Sequence, residues 1–239
     1  MLWRRSSRSR ARCADAQGEP YAEAGRELAR EGKHEEACDM FAEALRINPR
    51  NERAWVDWAS ALAELGRYRE ACEKLRRARE FGWGPQIWDE RGAPVGAVWE
   101  EKARYEEACE KHAKAVEASP QDARAYLHWG IALGKLGRHA ESCEKYATAL
   151  EIDPQDPEVY TNWAPALAEL GRDAEACEKY ARADEGGRLP PAAYLAWAEA
   201  LARAGDRAEA IRKLNRAVGL SARLKPQVEE IRKQLLGEE

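Results

Sequence analysis

The 239-residue sequence holds only two Phe, and it lacks the β-branched and aromatic runs from which strands are built. A sheet-based enzyme fold is therefore excluded. No uninterrupted apolar run approaches the roughly 18 residues of a membrane span, and the first residues lack the apolar core of a secretory signal. Neither membrane insertion nor export by that route is expected. The sequence carries no nucleophile elbow, P-loop, dinucleotide fingerprint or zinc-protease helix motif, so neither an enzyme nor a cofactor is predicted. A basic surface is also missing. The net charge is −4, and Arg4, Arg5, Arg8, Arg10 and Arg12 all fall in the first twelve residues. The remainder sets 34 basic residues against 43 acidic ones, which speaks against nucleic acid as a partner.

What is present is charge, at 34% of residues, nine Trp, and a repeat. The segment Glu36-Ala37-Cys38 recurs at Glu70-Ala71-Cys72, Glu107-Ala108-Cys109 and Glu175-Ala176-Cys177, with variants Glu141-Ser142-Cys143 and Glu209-Ala210-Ile211. Measured at the middle residue, the intervals are 34, 37, 34, 34 and 34. Within each unit two apolar stripes of 3.6-residue period flank a glycine, as Tyr126, Trp129, Ile131, Leu133 and Leu136 do before Gly137 and Cys143, Tyr146 and Leu150 after it. Gly32, Gly66, Gly137, Gly171 and Gly205 share that slot, where a left-handed residue stops a helix and reverses the chain. Asn51, Asp122 and Asp156 stand as N-caps at the starts of first helices. Each unit therefore reads as a pair of antiparallel helices, and the fold class as all-α.

The period of 34 and the order aromatic, Leu, Gly, then Ala-x3-aromatic, then Pro resemble the tetratricopeptide repeat (TPR) family. The first unit supplies Tyr21, Gly25, Leu28, Ala37, Phe41, Ala44 and Pro49, and the fourth Tyr126, Gly130, Leu133, Ser142, Tyr146, Ala149 and Pro154. The resemblance implies an α-solenoid of stacked helix pairs in a right-handed superhelix. Six units are expected, over 18–51, 52–85, 89–122, 123–156, 157–190 and 191–224. Residues 1–17 are read as a basic, disordered or targeting tail, and 225–239 as a capping helix and tail, with Leu224, Val228, Ile231 and Leu235 on its apolar face.

Two places break the pattern. In the third unit Gly92, Pro94 and Gly96 interrupt the first helix, and Ala103 replaces the turn glycine, so the helix starts near Val95 or the chain bends there. Pro165 falls inside the first helix of the fifth unit. Five of the six Cys share one slot, which Ile211 fills in the last unit, marking the slot as apolar. Stacked helices lie about 8–10 Å apart, beyond the ~7 Å limit for a disulfide, so no bridges are expected. Unbridged thiols suit a reducing compartment, the cytoplasm first, with import into a mitochondrion or plastid as the reading left by the Arg/Ser-rich start. Cys109 with His112, and His139 with Cys143, give two ligands each where structural zinc takes four, so no metal is predicted.

What the resemblance implies for function is a non-catalytic scaffold that receives a peptide or helix of a protein partner in a groove lined by the first helices. The inward positions are Arg26, Arg53, Asp57, Ser60, Arg124, His128, Ile131, Lys135, Glu158, Asn162 and Glu199. One subclass clamps acidic chaperone C-terminal tails with Lys, Asn and Arg. The matching slots here hold Ala22, Arg26, Asp57, Glu90 and Pro94, or one unit later Val56, Ser60, Pro94, Arg124 and His128, so such a tail is disfavoured. The alternatives are a permanent assembly subunit and, behind it, an RNA-binding helical repeat. Of the nine Trp, Trp58, Trp129, Trp163 and Trp197 share one core slot, and Trp83 and Trp88 remain as a candidate surface site.

Overall fold

A computed structural model describes residues 18–81, 95–185 and 189–236, and all regular structure among them is helical. The tail 1–17 and the pair Trp83 and Trp88 lie outside the described residues. Helix α1 covers residues 18–30. It is followed by α2 (His34–Ile47), α3 (Glu52–Glu64), α4 (Tyr68–Glu80), α5 (Val95–Ala118) and α6 (Ala123–Lys135). Then come α7 (His139–Ile152), α8 (Pro157–Glu169), α9 (Asp173–Asp184), α10 (Pro191–Arg203), α11 (Arg207–Leu220) and α12 (Lys225–Leu236). The fold is an α-solenoid of helix pairs. It divides into two compact units, one ending at Glu106 and the other beginning at Glu107, with the division inside α5.

The turns follow from the glycine slot. Gly32, Gly66, Gly137, Gly171 and Gly205 all have φ between 71° and 93°. At Gly66 the glycine N–H bonds the Ala63 carbonyl at 2.9 Å and the next N–H, of Arg67, bonds that of Leu62 at 2.9 Å. This double closure satisfies the last carbonyls of the first helix. Nothing lies within 4 Å of where a Cβ would stand at any of the five, so backbone conformation, not crowding, calls for glycine. Asn51 and Asp122 cap α3 and α6 by accepting from Ala54 and Ala125, each at 3.1 Å, and Asp156 caps α8 by accepting from Glu158 at 2.8 Å. The residue after the turn glycine also has a task. Arg67, Arg138 and Arg172 each reach three residues on to Glu70, Glu141 and Glu175, the first letter of the E-A-C segment.

Between the two helices of a pair, a ring sits in a notch. The Phe41 ring covers Gly25, where a Cβ would stand 2.7 Å from it, and the Tyr146 ring covers Gly130, where a Cβ would stand 2.6 Å away. Burial pushes the Tyr146 hydroxyl up to about 12, against a bond with Ser142. Ser142, the one Ser in the Ala slot, is fully buried, and its hydroxyl donates to the Gly130 carbonyl at 2.7 Å. Between pairs, the first aromatic of one unit donates to the proline carbonyl closing the unit before it: Trp55 Nε1 to Pro49 at 2.9 Å and Tyr160 to Pro154 at 3.1 Å.

The Trp slot shows a register that same-unit pairing does not capture. In three units the Cys packs on the Trp of the next unit, not on that of its own. The Trp58 indole N–H faces the Cys38 thiol, Trp163 faces Cys143, and Trp197 faces Cys177. These contacts are looser than ordinary hydrogen bonds, and the three indole nitrogens are buried without a better acceptor. Within its own unit each indole is instead covered by a lysine. Lys74 lies 3.9 Å from the Trp58 ring centre, Lys145 4.2 Å from Trp129, Lys179 4.4 Å from Trp163 and Lys213 3.5 Å from Trp197. Each such pair adds roughly 0.5–2 kcal/mol. Burial pushes the Cys38, Cys72, Cys143 and Cys177 thiols up, which keeps them protonated and unreactive.

The third unit departs from the expected helix pair. Its helix does start at Val95, but α5 then runs unbroken for 24 residues, through Ala103, to Ala118. Ala in the left-handed region is strained where glycine is not, so the chain continues as helix instead of turning. Pro165, by contrast, is accommodated without breaking α8. Val228 of α12 is fully buried, and Leu224, Ile231 and Leu235 pack against the same core.

Candidate functional site

The residues expected along the groove are taken within each compact unit by itself. In the first unit Arg26, Asp57 and Ser60 line a cleft of about 210 Å³ between α1 and α3, with Ala29, Arg30, His34, Phe41, Ala61 and Glu64. Its mouth is closed by charge. Arg26 reaches Glu19 at 2.7 Å and Asp57 at 3.4 Å, and Arg53 stands 4.0 Å from the same carboxylate. Burial pushes the Asp57 carboxyl up, and the bond from Arg26 only partly offsets this. The Ser60 hydroxyl is turned back onto the Val56 carbonyl at 3.1 Å.

In the second unit Ile131, Lys135 and Asn162 line a cleft of about 290 Å³ between α6 and α8, with Gly134, His139, Ser142, Tyr146, Pro165, Ala166 and Glu169. This is the same place in the repeat. Ile131 stands 105 positions after Arg26, Asn162 105 after Asp57, and Pro165 105 after Ser60. That offset is three repeat intervals including the one of 37. His34 and His139, Phe41 and Tyr146, and Glu64 and Glu169 correspond in the same way. The substitutions change what the cleft can do. Where the first cleft carries Arg, Asp and Ser, the second presents an isoleucine, a carboxamide and a proline ring over the Tyr146 floor. Asn162 donates to the Glu158 carbonyl at 2.8 Å, which orients the amide and keeps its oxygen as the acceptor it offers. Pro165, read from sequence only as a helix break, is a wall of this cleft.

The remaining expected residues lie elsewhere. Arg124 and Glu158 are exposed. His128 stacks on His112 with ring centres 5.7 Å apart, and burial and the neighbouring imidazole push His112 down. Glu199 lines a third cleft with Leu195, Pro226, Gln227, Glu230 and Ile231, between α10 and α12. Expected residues thus line one cleft in the first compact unit and two in the second. Of the slots matched to a chaperone-tail clamp, Ala22 and Val56 are buried in the core. Among the described residues no three His, Cys, Asp or Glu side chains converge as metal ligands would, and no helix is long and apolar enough to cross a membrane.

Residues 28–81, spanning most of the first two helix pairs, match a family model described as tetratricopeptide repeat, and residues 123–156, spanning α6 and α7, match a second with the same description. The uncharacterized protein MJ0572 of Methanocaldococcus jannaschii is 42% identical over 55 residues, 23% of this chain. The match spans 64% of that relative's length. Among solved structures, Pseudomonas aeruginosa pilF is 21% identical over 87% of this chain and 94% of its own, with a TM-score of 0.45. TTC0263, a thermophilic TPR protein of Thermus thermophilus, is 16% identical over 92% and 98%, with a TM-score of 0.42. YrrB, a TPR protein with an unusual peptide-binding site, is 16% identical over 85% and 86%, with a TM-score of 0.39. Each of the two compact units thus contains a matching tetratricopeptide repeat, carried by the glycine-turned helix pairs.

Proposed function

We propose that the second unit receives an extended segment of a protein partner in the cleft between α6 and α8, and that the first unit's counterpart does not. TPR proteins are in general non-catalytic scaffolds for protein–protein interaction, and the proposal concerns where this one takes hold. The observation that carries it is the substitution of Ile131, Asn162 and Pro165 for Arg26, Asp57 and Ser60 in equivalent clefts. An apolar wall gains by losing water to an apolar side chain. A single oriented carboxamide pairs with peptide backbone, and a charged rim at Lys135 and Glu169 fixes direction. In the first cleft a ligand has to displace ion pairs already formed, which costs the desolvation of each charge left behind.

The ligand expected is a short extended peptide with one apolar anchor and an acidic residue beside it, toward Lys135. An acidic C-terminal tail gripped along the first helices fits poorly. Arg26 is already held by two acids, and Ala22 and Val56 face the core. Selection of random displayed peptides on the full chain tests this. Enriched peptides should share an apolar anchor and compete with one another, and their binding should fall at least tenfold in Ile131→Arg. Recovery of sequences without a shared anchor, or binding indifferent to Ile131→Arg, contradicts the proposal.

A further inference from the structure

The second helix of a unit meets the first helix of the next through a stripe that begins at the Cys slot. Cys38 of α2 packs on Trp58 of α3, with Leu45 in the same contact, and Cys143 and Leu150 of α7 pack with Trp163 of α8. The residue four after the Cys is Ala at 42, 113, 147 and 181, and the residue seven after it is Leu45, Val116, Leu150 or Val218. Helix α4 keeps the Cys, as Cys72, but carries Arg76 and Arg79 at these two positions. No other unit has arginine at either. A third, Arg69, stands three before Cys72, where the other units carry Glu or Ala.

Arginine in such a slot gives up the close packing of Ala or Leu and keeps its charge in water. Between α4 and α5, wholly within the first compact unit, lies a cleft of about 510 Å³. Cys72 and the buried Leu75 form its apolar floor, and the three arginines, all exposed, stand along α4. Positions 69, 76 and 79 fall on one helix face and span about 15 Å along the axis. The Arg79 guanidinium lies across α5, 3.3 Å from where a Cβ on Gly96 would stand. From α5 comes Arg104. Its counterparts after the turn glycine, Arg67, Arg138 and Arg172, are each held by a Glu three residues on. Arg69 stands 3.7 Å from Glu106, but among the described residues Arg76, Arg79 and Arg104 make no ion pair. The acids lining the cleft are Glu73 and Glu100.

We infer that this cleft is a docking site for an acidic segment of a protein partner, with several Glu or Asp side chains along α4 and one apolar side chain over Leu75. Guanidinium groups match carboxylates in geometry and charge. A row about 15 Å long takes several such charges in succession, whereas one phosphate would concentrate its double charge beside Glu73 and Glu100. A nucleic acid would also meet the rest of a chain that holds more acid than base beyond its first twelve residues. The inference does not rest on the α6–α8 cleft, which shares no residue with this one.

The test is fluorescence anisotropy of a labelled synthetic peptide of Glu and Leu titrated with the full chain, beside its Gln and phosphoserine counterparts and duplex DNA. The Glu peptide should bind saturably and more weakly as salt rises, and the Gln peptide should not bind. Arg76→Ala with Arg79→Leu, which writes the first unit's letters into α4, should weaken binding by about tenfold or more while the urea midpoint holds or rises. Lys135→Ala, on the rim of the α6–α8 cleft, should bind as wild type does. A wild-type chain that ignores the Glu peptide overturns the inference, as does binding that survives the folded double variant or is lost in Lys135→Ala instead. So does a phosphoserine peptide or duplex DNA that binds about tenfold tighter than the Glu peptide and is released by the double variant. If the double variant does not fold, Arg104→Gln decides: affinity lowered by about threefold supports the site, and unchanged affinity overturns it.

Discussion

The two clefts, α1 with α3 in one unit and α6 with α8 in the other, are built by the same repeat positions, and the differences that change their chemistry are Arg26 against Ile131, Asp57 against Asn162 and Ser60 against Pro165. Arg26 and Asp57 place an ion pair in the first, where the second has the uncharged Ile131 and Asn162. The difference separates scaffold from site. What the clefts share, a ring over a glycine and a left-handed turn, holds the helices in place. What they do not share decides whether a ligand gains by entering.

The shared floor is where the largest effect is expected. Gly130→Ala and Gly25→Ala should each destabilise by about 1–3 kcal/mol, since the added carbon stands 2.6 or 2.7 Å from a buried ring with no room to yield. Urea unfolding of both variants checks this, and equal losses in the two units would show the floor to be purely structural. Next comes the turn. Gly137→Ala should cost about 1 kcal/mol, because its φ of 79° strains any side chain even though the space is open. A loss measured by the same unfolding that is no larger than a surface substitution would separate the second unit's turn from the backbone account.

A smaller effect isolates the first cleft's charge. Asp57 is held above the usual carboxylate range by burial. A folded-state value above the unfolded one means that ionising Asp57 opposes folding at neutral pH, and that this penalty is relieved as pH falls through the raised value. Asp57→Asn, which imports the second cleft's residue, removes the titration. The variant should lie within about 1 kcal/mol of wild type, and its stability relative to wild type should decline as pH falls from neutral into the carboxylate range. Smallest of all is the exposed pair after the turn. Arg138 holds the Glu141 carboxyl below its usual range, a stabilisation present above the unfolded value and lost as pH drops through the folded one. Glu141→Gln should cost a few tenths of a kcal/mol, and less at high salt.

Much of this frame could be read from residues alone. The interval of 34, the glycine slot and the caps Asn51, Asp122 and Asp156 are local chemistry, and local chemistry is written in adjacent letters. Three features were not legible. The Cys–Trp register runs from one unit to the next, because a second helix packs on the following first helix, and its spacing of twenty residues, at Cys38 and Trp58, Cys143 and Trp163, and Cys177 and Trp197, crosses the repeat boundary. The loss of the turn at Ala103 was visible as a missing glycine, yet nothing in the string shows that the helix continues rather than bends. Whether an inward residue is available also depends on its neighbours in space. Arg26 and Lys135 look alike as groove cations until Glu19 and Asp57 are found beside the first.

The most direct measurement is calorimetry of one selected peptide against three full-length proteins: wild type, Ile131→Arg with Asn162→Asp, and Arg26→Ala. The account predicts that the double variant, which rewrites the second cleft in the letters of the first, loses at least tenfold in affinity, while Arg26→Ala binds as wild type does. Equal affinity for wild type and the double variant, or a loss confined to Arg26→Ala, would contradict it.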